Sequence, residues 1–169
     1  EHSSNGRILK YDPASGETTV FADDLNFANG VAVDDANSAV FVVETGSYRV
    51  WRFPMDGSAG TVVLENLPGF PDNINNAPDG TFWVGLVSPR NPVMDQLANS
   101  PFLRRVIMRL PDAMKPAPLR YGFVLRMDAS GKVLETLQDP AGDYALTTGA
   151  VTLPDGRIAV TSLTEPRLG

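Results

Sequence analysis

The 169-residue chain carries 43% apolar and 20% charged side chains, a composition that supports a folded core and excludes a disordered or fibrous protein. Twenty acidic against fourteen basic residues give a net charge of −6, which argues against a basic face tracking phosphates, so nucleic acid is not an expected partner. The absence of cysteine removes disulfides, thiol nucleophiles and cysteine-bound metal clusters from this segment.

Short runs rich in Val, Ile, Thr and Phe, punctuated by Gly and Pro, read as strands joined by turns. In chain order the hairpins are Ile8–Tyr11 with Thr18–Phe21, Val31–Val33 with Ala39–Glu44, Arg49–Phe53 with Thr61–Glu65, Ile74–Asn76 with Thr81–Leu86, Tyr121–Met127 with Lys132–Leu137, and Ala150–Leu153 with Arg157–Ser162. Turn sequences such as Met-Asp-Gly at 55–57 and Pro-Asp-Gly at 78–80 and 154–156 fit tight connections. Apolar runs such as Ala39 to Val43 are far short of the roughly 20 residues a membrane helix needs, and no signal-peptide pattern opens the chain.

The turns repeat. Gly16 and Gly57 are 41 residues apart and Gly57 and Gly131 are 74 apart, while Asn37 to Gly80 is 43 and Gly80 to Gly156 is 76. Both long intervals exceed the short ones by 33, the length of Ser88 to Arg120, which marks that stretch as an insertion into a repeat of 41 to 43 residues with four strands. Such a period predicts an all-β fold of β-propeller blades, whose sheets bury their faces only against neighbouring blades. The expected division is an outer hairpin at 7–21, a blade at 30–66, a blade at 73–138 carrying the 88–120 insertion, and an inner hairpin at 149–162. Three blades' worth of strands would leave sheet faces uncovered, and the chain begins at Glu1 without methionine, so it reads as part of a larger ring.

Within the insertion, Met94, Leu97, Leu103, Val106, Ile107 and Leu110 recur at near-helical spacing, with Pro101 and Pro111 interrupting. Six bases against two acids make it locally positive. It reads as a helical flap on the ring, with a membrane-surface helix as the alternative.

Inner strands of a propeller begin at the central channel, so the segments entering them hold the candidate site residues. These are read as loops: Phe27-Ala28-Asn29-Gly30, Phe70-Pro71-Asp72-Asn73 and Thr147-Thr148-Gly149. A 43-residue shift places Asn29 on Asp72, and a further 76 places Asp72 on Thr148. Oxygen-bearing side chains at equivalent places are what a hard cation requires, while Asn and Asp in such settings also serve as plain turn formers. The single histidine, His2, gives a Ser-His-Asp triad little support.

Gly6-Arg7-Ile8-Leu9-Lys10-Tyr11-Asp12-Pro13, Phe27-Ala28-Asn29-Gly30-Val31-Ala32, Glu44-Thr45-Gly46 with Arg49, Leu67-Pro68-Gly69-Phe70-Pro71-Asp72-Asn73-Ile74 and Trp83-Val84-Gly85-Leu86 resemble the strictosidine synthase-like family, in the superfamily of paraoxonases and gluconolactonase/regucalcin proteins. The resemblance runs over nearly the whole chain. It implies a six-bladed propeller with about half the ring absent. It also implies calcium or another divalent metal ion at the channel mouth, with Asn29, Asp72 and Asn73 as ligands, Thr148 lining the channel, and further Glu and Asn ligands in earlier blades. The sequence departs from true strictosidine synthase in having no glutamate between Glu135 and Glu165, so the amine–aldehyde condensation is not expected.

The resulting expectation is a calcium-dependent hydrolase of small-molecule esters or lactones in the full-length protein, with a non-enzymatic binding scaffold as the alternative. A membrane-associated or extracytoplasmic location follows from the family resemblance alone.

Overall fold

A computed structural model describes residues 4–91, 109 and 119–169. Twelve strands occur among them. β1 (Gly6–Tyr11) and β2 (Thr18–Leu25) pair as a hairpin. β3 (Ala28–Asp34), β4 (Ala39–Glu44), β5 (Arg49–Pro54) and β6 (Thr61–Leu64) form one four-stranded sheet, and β7 (Gly69–Asn76), β8 (Phe82–Pro89), β9 (Gly122–Met127) and β10 (Val133–Asp139) form another. β11 (Thr147–Thr152) and β12 (Ile158–Ser162) pair last. Every pairing is antiparallel and joins strands adjacent in sequence. The Asp-Gly turns close these hairpins because Gly57 and Gly156, both at φ 84, occupy the left-handed region where a Cβ is disfavoured.

Alternation along β8 explains how the sheets stack. Phe82, Val84 and Leu86 point to one face, where they meet Phe41, Val43 and Val50 of the preceding sheet, and the Phe41 and Phe82 ring centroids are 4.6 Å apart. Trp83 points to the other face, packs with Val124 and Ala150, and donates its indole N–H to Thr152 Oγ1 at 3.0 Å. A strand buried on both sides must be apolar at odd and even positions alike, and β8 is. Truncating a side chain such as Phe41 or Trp83 to alanine removes contacts worth about 3–5 kcal/mol. The outermost strand β10, by contrast, is exposed from Val133 to Gln138.

The inner strands approach one another closely. A Cβ built on Gly30 in β3 would lie 2.6 Å from the Cα of Asn73 in β7, and one on Gly85 in β8 would lie 2.2 Å from the carbonyl carbon of Thr148 in β11. Glycine is therefore required at these two places by space alone. Two expectations are modified. The inner strands begin three to five residues earlier than the hairpin reading placed them, and β8 runs through Ser88 and Pro89, the first residues assigned to the insertion. The expected helices of that insertion, and any membrane-facing role for it, lie outside the described residues. Short 3-10 turns occur at Asp35–Asn37 and Thr45–Ser47.

Candidate functional site

The segments read as loops are the first halves of strands β3, β7 and β11, and each contains a register irregularity. Pairing with the second strand shifts between Ala28 and Val31, between Pro71 and Ile74, and between Thr147 and Gly149. Asn29, Asp72 with Asn73, and Thr148 occupy these irregular stretches. A bulge frees a side chain from the strict in-and-out alternation of a ladder and re-aims it, which is why glycine and proline neighbours at these points interrupt the strand pattern.

Asn29 and Asp72 meet across the boundary between adjacent sheets, the Asn29 amide donating to Asp72 Oδ1. The same amide nitrogen donates to Thr45 Oγ1 at 3.3 Å, and the Thr45 hydroxyl donates to the Pro71 carbonyl at 2.6 Å. Thr45 is buried and thus fixes both halves of the pair, one through its side chain and the other through the backbone before it. Burial raises the pKa of Asp72 above the ordinary carboxylate value, and the Asn29 hydrogen bond counters this only in part. No carboxylate–cation pair among the described residues includes Asp72.

Glu44 anchors the turn that carries Thr45. Its carboxylate is 1% exposed and accepts from the Asn26 backbone N–H at 2.7 Å, Ser47 Oγ at 3.0 Å, Trp51 Nε1 at 2.6 Å and Arg49 Nε. Burial acts to raise its pKa, but the donors from Arg49, Trp51, Asn26 and Ser47 together hold it below the ordinary glutamate value of about 4.5. The Thr45 and Gly46 amides bond the Phe27 and Asn26 carbonyls at 3.0 and 3.1 Å, so the turn is sewn to the entry of β3. Thr45 and Glu44 are positioning residues that the expected ligand set did not include. Their one signal is the Glu44-Thr45-Gly46 run.

The other expected site residues lie differently. Asn73 is exposed, between Gly30 and Gly149; a Cβ on Gly149 would be 3.3 Å from that of Asn73. Thr148 is buried, with its hydroxyl 2.7 Å from Thr161 Oγ1. For a divalent cation, the Asp72 carboxylate and Asn29 amide are the right donor chemistry, since such ions take oxygen ligands, including a negative one. They fit one sector of a shell: a calcium ion takes roughly six to eight oxygens. Among the described residues no cluster of three or more His, Cys, Asp or Glu could hold a metal.

Stacked four-stranded antiparallel sheets with inner strands side by side are the arrangement of a β-propeller, present here as a partial ring. Solved structures agree. Regucalcin from Agrobacterium tumefaciens superposes at TM-score 0.63 with 18% identity, over 97% of this chain and 46% of that one. A gluconolactonase from Xanthomonas campestris gives 0.60 and 21%, over 96% and 48%. In sequence, residues 1–58 match the family model described as strictosidine synthase. The bovine adipocyte plasma membrane-associated protein is 37% identical over 99% of this chain and 43% of its own length. Strictosidine synthase-like 10 of Arabidopsis thaliana is 36% identical over 97% and 46%. The chain is thus homologous over nearly its whole length to strictosidine synthase-like proteins and spans less than half the length of these relatives.

Proposed function

We propose that the complete protein is a hydrolase of small esters or lactones that works with calcium or another divalent ion, held in part by Asn29, Asp72 and Asn73. The observation that carries this reading is the contact between Asn29 and Asp72, two oxygen-bearing side chains at repeat-equivalent places in neighbouring sheets. The division into blades at 30–66 and 73–138, flanked by hairpins at 7–21 and 149–162, belongs to the same reading. The calcium-binding regucalcin, the gluconolactonase and a luciferin-regenerating enzyme share the fold and support small-molecule chemistry at such a mouth.

A bound divalent ion supplies an electrophile that polarises the ester or lactone carbonyl and stabilises the oxyanion. This chain's residues would orient it. Asp72 offers a half-buried negative charge, Asn29 a neutral oxygen, and Thr45 restricts both to one geometry. Pre-orienting ligands in this way lowers the reorganisation needed at the moment of reaction.

The second reading, a non-enzymatic binding scaffold, is favoured by the fit at TM-score 0.62 to the nidogen/laminin complex structure. Turnover of a lactone and aryl-ester panel by the complete protein, with and without chelator, separates the two. Hydrolysis lost with chelator and with Asp72→Ala supports the hydrolase. Hydrolysis indifferent to both contradicts the metal mechanism, and no hydrolysis of any substrate favours the scaffold.

A further inference from the structure

We infer that Arg90 recognises a carboxylate on the substrate, seated on an aromatic shelf at the same end of the sheets as Asp72; the inference rests on the hydrolase reading and narrows its substrate class. β8 ends at Pro89, which pairs with Gly69 at the start of β7, and the Arg90 amide donates to the Pro68 carbonyl at 3.0 Å. Arg90 therefore leaves its sheet beside the segment that leads through Phe70 and Pro71 into Asp72. Its guanidinium carbon lies 4.0 Å from the centroid of the Tyr48 ring, and Tyr48 packs on Phe70 with centroids 4.9 Å apart. Tyr48, at φ 53, follows the Thr45–Ser47 turn, and Thr45 of that turn holds Asn29 and the Pro71 carbonyl. The shelf and the Asn29–Asp72 pair thus share one turn and one strand start.

The state of the guanidinium points to a ligand. Arg49, Arg120, Arg126 and Arg157 each pair with a carboxylate, whereas no described carboxylate pairs with Arg90. Its Nε is buried and, among the described residues, has no hydrogen-bond partner. A buried donor left without an acceptor is destabilising, so the arrangement is poor as a stabilising device. It suits recognition. Stacking on Tyr48 holds the planar fork in a set orientation, and a guanidinium meets a carboxylate through two parallel N–H···O bonds. On a chain of net charge −6 an anionic substrate needs such a dedicated cation. Tyr48 and Phe70 add flat apolar surface, so the preferred substrate is an ester or lactone with an apolar or aromatic body and a carboxylate.

The test uses the complete protein and benzoate as a probe of the shelf, titrated by calorimetry or NMR against wild type, Arg90→Gln and Arg90→Lys. The expected result is benzoate affinity weaker by about tenfold or more in Arg90→Gln, the loss of one charge-assisted contact, and partly restored in Arg90→Lys. In parallel, the kcat/KM ratio of a carboxylate-bearing aryl ester over its neutral methyl ester should fall about as far in Arg90→Gln, mainly through KM. Equal benzoate affinity in wild type and folded Arg90→Gln overturns the inference, as does an unchanged ratio. Should the protein hydrolyse neither ester, the hydrolase reading fails by itself, while loss of benzoate binding in Arg90→Gln still supports the carboxylate role. Should Arg90→Gln not fold, unchanged benzoate affinity in Arg90→Lys overturns it.

Discussion

The Asn76 side-chain amide donates to the Val33 carbonyl at 2.6 Å, 43 residues back along the chain, the same offset that separates Asp72 from Asn29. Strands β3 and β7 are therefore tied at both ends by side-chain bonds between repeat-related places. Only one tie, Asn29 with Asp72, lies at the entry to the strands; the other closes their far ends. This separation allows stability and site chemistry to be perturbed independently.

Thr45→Val keeps the volume of the side chain but removes the hydroxyl that links Asn29 to the Pro71 carbonyl. In the complete protein it should lower stability by about 1–2 kcal/mol and weaken calcium affinity, whereas Thr45→Ser should recover both. Asn76→Ala should cost about 1 kcal/mol, leaving calcium affinity as in wild type. Urea unfolding and calorimetric calcium titration distinguish these outcomes. Equal calcium affinity in wild type and Thr45→Val would remove Thr45 from the site.

Asp72→Ala deletes the one charged group of the proposed ligand set. Calcium affinity should fall by roughly tenfold or more, with ester or lactone turnover falling alongside. Asp72→Asn, which retains an oxygen but not the charge, should fall between. A metal titration showing the same affinity in Asp72→Ala and wild type would assign Asp72 to the turn rather than to the ion.

Glu44 sets a pH dependence whose sign follows from its depressed pKa. A carboxylate held below its unfolded value of about 4.5 contributes stability at pH above that value and loses it as the pH falls through the folded pKa. Glu44→Gln should flatten the stability profile as the pH falls below about 4.5 and lower stability at pH 7 by about 3 kcal/mol, since Arg49 then loses its counter-charge. Equilibrium unfolding at stepped pH is the measurement; parallel wild-type and variant profiles would show that the charge carries no folding energy.

Gly85→Ala would force a Cβ into the Thr148 backbone, with its carbonyl carbon 2.2 Å away, so one sheet must retreat from the next. A destabilisation of about 3 kcal/mol is expected. Gly16→Ala meets open space at φ 74 and should cost only about 1 kcal/mol, the conformational term alone. Comparable melting temperatures for the two variants would argue against tight packing of β8 on β11.

Much of this architecture was readable from residue spacing. β4 falls on the expected Ala39–Glu44, because its apolar run from Ala39 to Val43 is uninterrupted and a 3-10 turn bounds it on each side. The inner strands were read short for a physical reason: Gly69-Phe70-Pro71-Asp72-Asn73 has the composition of a loop, yet it pairs with β8 through a bulge that tolerates proline and unpaired residues. The offset from Asn29 to Asp72 was legible in the turn periodicity, and their meeting follows once two equivalent strands pack side by side. Thr45 was not legible. Its role depends on a turn folding back over β3 and reaching the Pro71 carbonyl 26 residues on, which no local pattern encodes.

The register irregularities at the starts of β3, β7 and β11 also bear on how such a protein changes. A side chain in regular pairing is answerable to its cross-strand neighbours, so replacing it disturbs the sheet. Asn29, Asp72 and Thr148 stand where that accountability is relaxed, at the same station in three successive sheets. These are exchangeable positions: an amide, a carboxylate and a hydroxyl occupy one architectural slot at the starts of equivalent strands. Divergence between relatives that bind an ion and relatives that only present a surface can then proceed by single replacements at these stations, with the propeller serving as an unchanging chassis.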